Sequence, residues 1–173
     1  SQNYRSVTFA DISIFNPAYT INPNISDEDG LTTDIGLRGR FEDILSFDVN
    51  VFNIFYNNRI GFSQKKYGDG RVKSERGNIG DATIYGLESI TELNIDRILF
   101  KNNRNVNLSM FFNFSSIDSE YTRSAQPGIQ GKKVEFIPNY NYKLGSKLGF
   151  KNIFLSVQLT KIGDQFTDAS NAI

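Results

Sequence analysis

Apolar and polar residues alternate along much of this chain with a period of two. That is the spacing of a β-strand whose two faces meet different surroundings. The pattern is cleanest at 105–115, where Val106, Leu108, Met110, Phe112 and Phe114 share one face and Asn107, Ser109, Phe111, Asn113 and Ser115 the other. It recurs at 45–56, with Leu45, Phe47, Val49 and Val51 against Ser46, Asp48 and Asn50. At 153–160, Ile153, Leu155, Val157 and Leu159 oppose Phe154, Ser156, Gln158 and Thr160. At 139–150, Tyr140, Tyr142, Leu144, Leu148 and Phe150 oppose Asn139, Asn141, Lys143, Lys147 and two glycines. Weaker versions at 31–40 and 83–95 set Ile35, Leu37, Leu87, Leu93 and Ile95 against Asp34, Arg38, Glu88, Glu92 and Asn94. The pattern predicts an all-β, antiparallel up-and-down meander of about six strands, over about 31–40, 45–57, 83–95, 104–115, 139–150 and 153–163, with no convincing helix.

The connections sort by length. Short links fall at 41–44, at 96–103 and at Lys151-Asn152, whereas 57–82 and 116–135 are long, polar and rich in glycine and charge. Pairing Phe150 with Ile153 places Leu148 beside Leu155 and Lys147 beside Ser156, so a two-residue hairpin keeps both faces consistent. Setting Arg38 opposite Asp48 keeps the first hairpin in register and pairs opposite charges. Short turns on one rim and long loops on the other are the habit of an outer-membrane barrel, whose strands of about ten residues alternate apolar-out and polar-in. The six charges Arg38, Asp48, Glu88, Glu92, Lys143 and Lys147 would then face the lumen. Phe55, Tyr56, Tyr85, Tyr140, Tyr142 and Phe150, near strand ends, suit interfacial girdles. An ordinary antiparallel sheet with its polar side in water remains open on this pattern alone, as a soluble β-sandwich or adhesin-like binding module.

Composition narrows the chemistry. The 173 residues include 19 basic and 19 acidic side chains and no His, Cys or Trp. A Ser-His-Asp triad, a cysteine nucleophile and an ordinary zinc or haem site are therefore excluded within this segment. Zero net charge argues against a nucleic-acid partner that relies on a strong positive field. No run approaches the roughly 18–20 apolar residues of a membrane helix. Ser1-Gln2-Asn3-Tyr4 carries neither an initiating Met nor a signal sequence, so either a signal has been removed or the segment begins inside something larger.

Several stretches resemble the late barrel of TonB-dependent outer-membrane receptors. They are Asn22-Pro23-Asn24-Ile25, then Thr33 to Gly39 (TDIGLRG), then the strand Phe47 to Gly61 (FDVNVFNIFYNNRIG), then Tyr85-Gly86-Leu87-Glu88. Val134 to Pro138 and Gly163 to Asp168 are similar to that family's strand entry and following hairpin. Asn78-Ile79-Gly80-Asp81 with Gln165 to Asn171 is most like ferric-citrate-type receptors of Bacteroidetes-like bacteria. Asp27-Glu28-Asp29 departs from the family's usual loop, and the segment contains no energy-coupling box, plug or terminal aromatic strand. The resemblance implies a slice of a barrel of about 22 strands with plug and last strands absent, 1–173 being a partial barrel domain. It further implies a bacterial outer-membrane location and import of a ferric chelate, citrate or siderophore-like, with energy from the TonB complex acting through the plug. Outer-membrane lipid would be a further partner, with no cofactor, no resident metal, no nucleic acid and no enzymatic activity. Another kind of outer-membrane barrel is the remaining alternative.

Within that reading, the net-positive loop 57–82 is the candidate ligand contact. Its cations Arg59, Lys65, Lys66, Arg71 and Arg76 suit an anionic chelate, because guanidinium matches carboxylate bidentately. Asp27-Glu28-Asp29-Gly30 fails as an EF-hand, since the twelfth position from Asp27 is Arg38 rather than Glu. Tyr67-Gly68-Asp69-Gly70 lacks the strand and helix of a phosphate loop and reads as a tight turn. Glu88 and Glu92 share a face about 13 Å apart, too far for a glycosidase pair.

Overall fold

A computed structural model describes residues 1–100 and 105–172. The chain runs β1 (Gln2–Arg5), α1 (Phe9–Ile12), β2 (Tyr19–Ile21), β3 (Glu28–Phe41), β4 (Leu45–Lys66), β5 (Val72–Asn94), α2 (Ile95–Leu99), β6 (Val106–Arg123), β7 (Tyr140–Phe150) and β8 (Ile153–Ile162). All strands belong to one sheet in the order β1-β3-β4-β5-β6-β7-β8, with β2 beside β5. The antiparallel six-strand meander is β3 to β8; the short β1 pairs antiparallel with β3, and β2 pairs parallel with β5. Position 104, an expected strand start, and residues 101–103 of the 96–103 link lie outside the described residues. Ile95 does not end a strand as expected but opens the single-turn α2.

The hairpin registers follow the alternation. Arg38 faces Asp48 and donates to its carboxylate from Nε at 2.8 Å. Phe150 pairs with Ile153, Leu148 with Leu155 and Lys147 with Ser156, with Lys151 at φ +52 in the two-residue turn. Because directly opposed residues share a face, the ladders can be read across the whole sheet. One row is Arg38, Asp48, Ile90, Asn113, Lys143 and Thr160. The next on that face is Arg40, Ser46, Glu92, Phe111, Gly145 and Gln158. Glu88 lies in the row with Asn50 and Ser115, and Lys147 in the row with Asn94, Ser109 and Ser156. The opposite face carries Ile35, Leu37, Val51, Leu87, Met110, Phe112, Leu144, Leu148, Leu155, Val157 and Leu159, all exposed. Its charges, Asp29, Asp118, Glu120 and Lys161, sit toward the end of the sheet where the long connections lie.

Four glycines lie directly across from a phenylalanine: Gly39 from Phe47, Gly86 from Phe52, Gly145 from Phe111 and Gly149 from Phe154. In each pair a Cβ on the glycine would run into the phenylalanine ring. The missing side chain makes room for a ring lying over the backbone, which restores packing that a strand glycine otherwise lacks. Phe52, Phe111 and Phe154 thereby sit on the polar face without joining the apolar belt.

Beyond the belt the expected long loops are largely strand. Residues 57–66 continue β4, 72–82 belong to β5, and β6 runs on to Arg123. Register shifts mark the transition on β4 between Tyr56 and Ile60, and on β5 at Asp81/Ala82. The turn is as tight as expected: Tyr67 N–H donates to Arg71 O at 2.8 Å, and Gly70 adopts φ +83. β3 leaves β4 at Asn57 and β6 leaves β5 at Asp81, so the projecting hairpin has two bare edges. Both are covered. β2 pairs with Ser74, Glu75 and Arg76 on one edge. On the other, Ile60 N–H donates to Glu28 Oε2 at 2.6 Å and Ala169 N–H to Phe62 O at 2.9 Å. Unpaired strand edges are otherwise templates for aggregation.

Candidate functional site

Two regions hold the candidate residues. The first is the concave polar face. Asp34, Gly36, Arg38, Asp48, Asn50 and Glu88 line a groove of about 530 Å³. An adjoining hollow is lined by Glu88, Asn113, Ser115, Asn141 and Lys143. The six expected lumen-facing charges, Arg38, Asp48, Glu88, Glu92, Lys143 and Lys147, therefore share this face. Arg38 pairs with Asp48, and Lys147 reaches Glu92 at 3.8 Å while lying over the Phe111 ring at 5.3 Å. Such exposed pairs contribute little stability, on the order of 0–1 kcal/mol. They leave a wetted wall able to meet a charged partner.

The second region is the long-loop end, where 6–27, 124–139 and 163–172 converge on the β4–β5 hairpin. A buried cluster of Ile79, Ala82, Ile84, Tyr121, Ile129, Val134 and Ala169 joins the last two of these to β5 and β6. Tyr56 packs against this cluster. It does not join a girdle, because the period of two sets it on the face of Phe52 and Ile54 and opposite Phe55. Inside the cluster Arg59 Nη1 donates to Tyr121 Oη and to Glu135 Oε1, both at 2.7 Å, and Tyr121 Oη donates to Glu135 Oε2 at 2.7 Å. Burial disfavours the Arg59 charge, yet the neighbouring Tyr121 and Glu135 oxygens outweigh it and hold the guanidinium above its usual range. Burial also pushes the Tyr121 phenol well up.

Most of the five proposed ligand cations have internal carboxylate partners. Arg59 is bound as above. Lys65 pairs with Glu75 at 2.6 Å, Arg76 with Asp11 at 2.7 Å, and Arg71 with Asp69 at 2.5 Å. Arg76 also stacks over Phe62 at 4.7 Å. Lys66 makes no ion pair among the described residues and is exposed. Arg59, Lys65, Lys66 and Arg76 are strand residues rather than loop residues, and Arg71 alone sits in the turn. The carboxylates of 27–29 are likewise committed. Asp27 accepts from Tyr4 Oη and Val7 N–H, Glu28 from Ile60, and Asp29 from Asn57. Among the described residues no group of three acidic side chains is placed to hold a metal.

Sequence reading missed the clamp at Asp11. This buried carboxylate accepts both Arg5 Nη2 contacts at 2.8 Å, Thr8 N–H at 2.9 Å and Arg76 Nη2 at 2.7 Å. Burial alone would raise its pKa, but the Thr8 amide, Arg76 and Arg5 hold the carboxyl well below the usual range. A depressed carboxyl contributes stability that is present above its unfolded value, about 4, and lost only as pH falls through the lower folded value. The 6–27 segment is therefore expected to stay docked at pH 4 and to loosen only in stronger acid, whereas Asp11→Asn frees it at neutral pH. Hydrogen exchange of 6–27 against pH reads both outcomes; protection lost in step with ordinary carboxylates, near pH 4, would contradict the clamp.

An antiparallel wall, apolar and exposed on one side and polar and grooved on the other, has the two faces that a β-barrel segment requires. The chain belongs to the TonB-dependent receptor-like β-barrel family, whose profile matches residues 1–173. Among solved structures it is similar to the copper transporter OprC, with a TM-score of 0.67 at 15% identity, covering 93% of this chain and 23% of that one. It is also similar to the ferric yersiniabactin uptake receptor FyuA from Yersinia pestis, with a TM-score of 0.60 at 16% identity, covering 85% of this chain and 20% of that one. The chain thus spans about a fifth to a quarter of the length of these structures. No curated protein sequence matches it significantly.

Proposed function

We propose that this chain is wall of a bacterial outer-membrane active transporter that imports a ferric chelate, citrate or siderophore-like, powered by the TonB complex acting through a plug. Family membership supports the transporter class. The observation that carries the reading here is the separation of faces: the six charges Arg38, Asp48, Glu88, Glu92, Lys143 and Lys147 line the groove side, and the belt opposite is apolar and uncovered among the described residues. A soluble sandwich would cover that belt with a second sheet. The groove side would meet the plug and water, the belt outer-membrane lipid, and the long-loop end the exterior. Of the five candidate cations, Lys66 and Arg71 at the hairpin tip are the most accessible to an anionic chelate. The affinity for citrate-type ligands rests on the sequence resemblance at 78–81 and 165–171.

The test is uptake of radiolabelled ferric citrate by cells lacking their own receptor and supplied with the receptor that carries this segment. Uptake that requires the receptor and stops when the proton-motive force is collapsed supports the proposal. Receptor-independent uptake, or uptake indifferent to the proton-motive force, overturns it. Uptake of a copper salt in place of ferric citrate would overturn the iron assignment alone.

A further inference from the structure

The connection between β5 and β6 is unlike its neighbours at the short-turn end. The 41–45 and 150–153 links are tight turns, whereas this one carries a helical turn, α2, with exposed apolar side chains. At about 100° per residue, Ile95, Ile98 and Leu99 fall on one side of α2, and Asp96 and Arg97 on the other. The polar side has an assigned place. Asp96 and Arg97 border a hollow with Asn107, Ser109, Lys147 and Gly149, all of them on the groove face of the sheet. The apolar side therefore points away from the groove, toward the belt face. There Ile98 is 47% and Leu99 63% exposed, and Phe100, the next residue, is exposed as well. The lowest belt rows, Phe41 on β3 and Phe150 with Ile153 on β7 and β8, are also exposed and lie at this end.

From this geometry we infer that α2 is an interfacial foot: Ile98 and Leu99 insert into the near leaflet of the bilayer, continuing the belt past the ends of the strands. The occupant is lipid because the apolar side of α2 is continuous with the belt and is turned from the groove that a plug would fill. A single turn leaves most of its amides to outside partners, and only Phe100 N–H closes on Asp96 O at 2.8 Å, so α2 suits the headgroup boundary, where water and headgroups can satisfy the rest, and not the hydrocarbon interior. Asp96 and Arg97, 3.7 Å apart, keep the opposite side wet. The foot would fix the height of the β5–β6 edge of the wall in the membrane.

This inference rests on the outer-membrane reading above, and its test separates the two. The segment contains no cysteine, and any cysteine elsewhere in the receptor is replaced by serine, so that each variant carries a single probe. In the receptor reconstituted into phospholipid vesicles, nitroxides are attached at Leu99→Cys, Ile98→Cys, Arg97→Cys and, within the belt, Leu155→Cys. Collision with oxygen, which concentrates in lipid, is compared with collision with a nickel chelate, which stays in water. The expectation is that positions 98 and 99 resemble 155, with oxygen favoured severalfold over the chelate, while 97 favours the chelate. If 155 reports lipid but 98 and 99 match 97, the foot is wrong and the barrel reading stands. If 155 itself reports water, the membrane reading fails and the foot with it. Because each probe replaces an exposed side chain, folding is not at stake, and the heat-modifiable gel mobility of each variant verifies it.

Discussion

Glu135→Ala is expected to cost roughly 3–5 kcal/mol, concentrated at the long-loop end, because it leaves a guanidinium without its counter-charge. Glu135 is 1% exposed and Tyr121 0%, so water cannot substitute for the lost carboxylate. Three donors would lose this acceptor: Arg59 Nη1 and Phe62 N–H at Oε1, and the Tyr121 hydroxyl at Oε2. Arg59, Tyr121 and Glu135 come from β4, β6 and the 124–139 crossing segment, so the loss should free that segment from the wall. Hydrogen exchange across 117–136, together with thermal melting, measures it. The second arm is the double variant Arg59→Leu with Glu135→Leu. Replacing a buried ion pair by apolar side chains is often neutral, so the double variant should recover most of what the single one loses. Equal losses in single and double variants would show that the cost lies in packing rather than in the unpaired charge.

The same cluster marks the boundary of what the sequence reveals. Between Ile35 and Phe55, and over 106–115 and 140–159, one face is an apolar belt and the other is polar. A period of two is imposed residue by residue, and the registers of Arg38 with Asp48 and Phe150 with Ile153 can be read directly. Beyond Tyr56 on β4, and before Ala82 on β5, that contrast of faces is lost. Residues 57–66 and 72–81 mix Asn, Gly, Ser and charges without alternation, so strand there looks like loop. Their pairing is dictated by neighbours remote in sequence, such as Glu135 for Arg59, 76 positions away, and Asp11 for Arg76, 65 away. No local pattern encodes such partners. The cations were visible as a net-positive stretch, but their pairing with Asp11, Asp69, Glu75 and Glu135 was not, and that turns most of an apparent ligand patch into internal ion pairs. The abundance of Phe and Gly was visible too; its cause, rings lying over glycines on the facing strand, emerges only once the register is known.

Val157→Arg, set beside Gln158→Arg, tests the assignment of faces with one residue of displacement. Val157 is 65% exposed on the belt face and lies four residues after Ile153, the start of β8. At about 3.3 Å per residue and a tilt near 40°, it stands about 10 Å above that end, close to the middle of an apolar band about 25 Å tall. An arginine there must strip its hydration or drag water and headgroups inward, at roughly 2–4 kcal/mol. Gln158 points to the groove, opposite Gly145 and in the row of Arg40 and Glu92, where a guanidinium stays wet and has a carboxylate nearby. Its replacement should cost under about 0.5 kcal/mol, as for an ordinary surface change. Denaturant unfolding of the full receptor from lipid vesicles gives both numbers. Equal small costs would mean that the belt is not in lipid, and a larger cost at 158 would mean that the faces are reversed. A difference of 2 kcal/mol or more in the expected sense would be hard to obtain from any soluble arrangement of this sheet, because in water Val157 is already exposed and arginine is at home there.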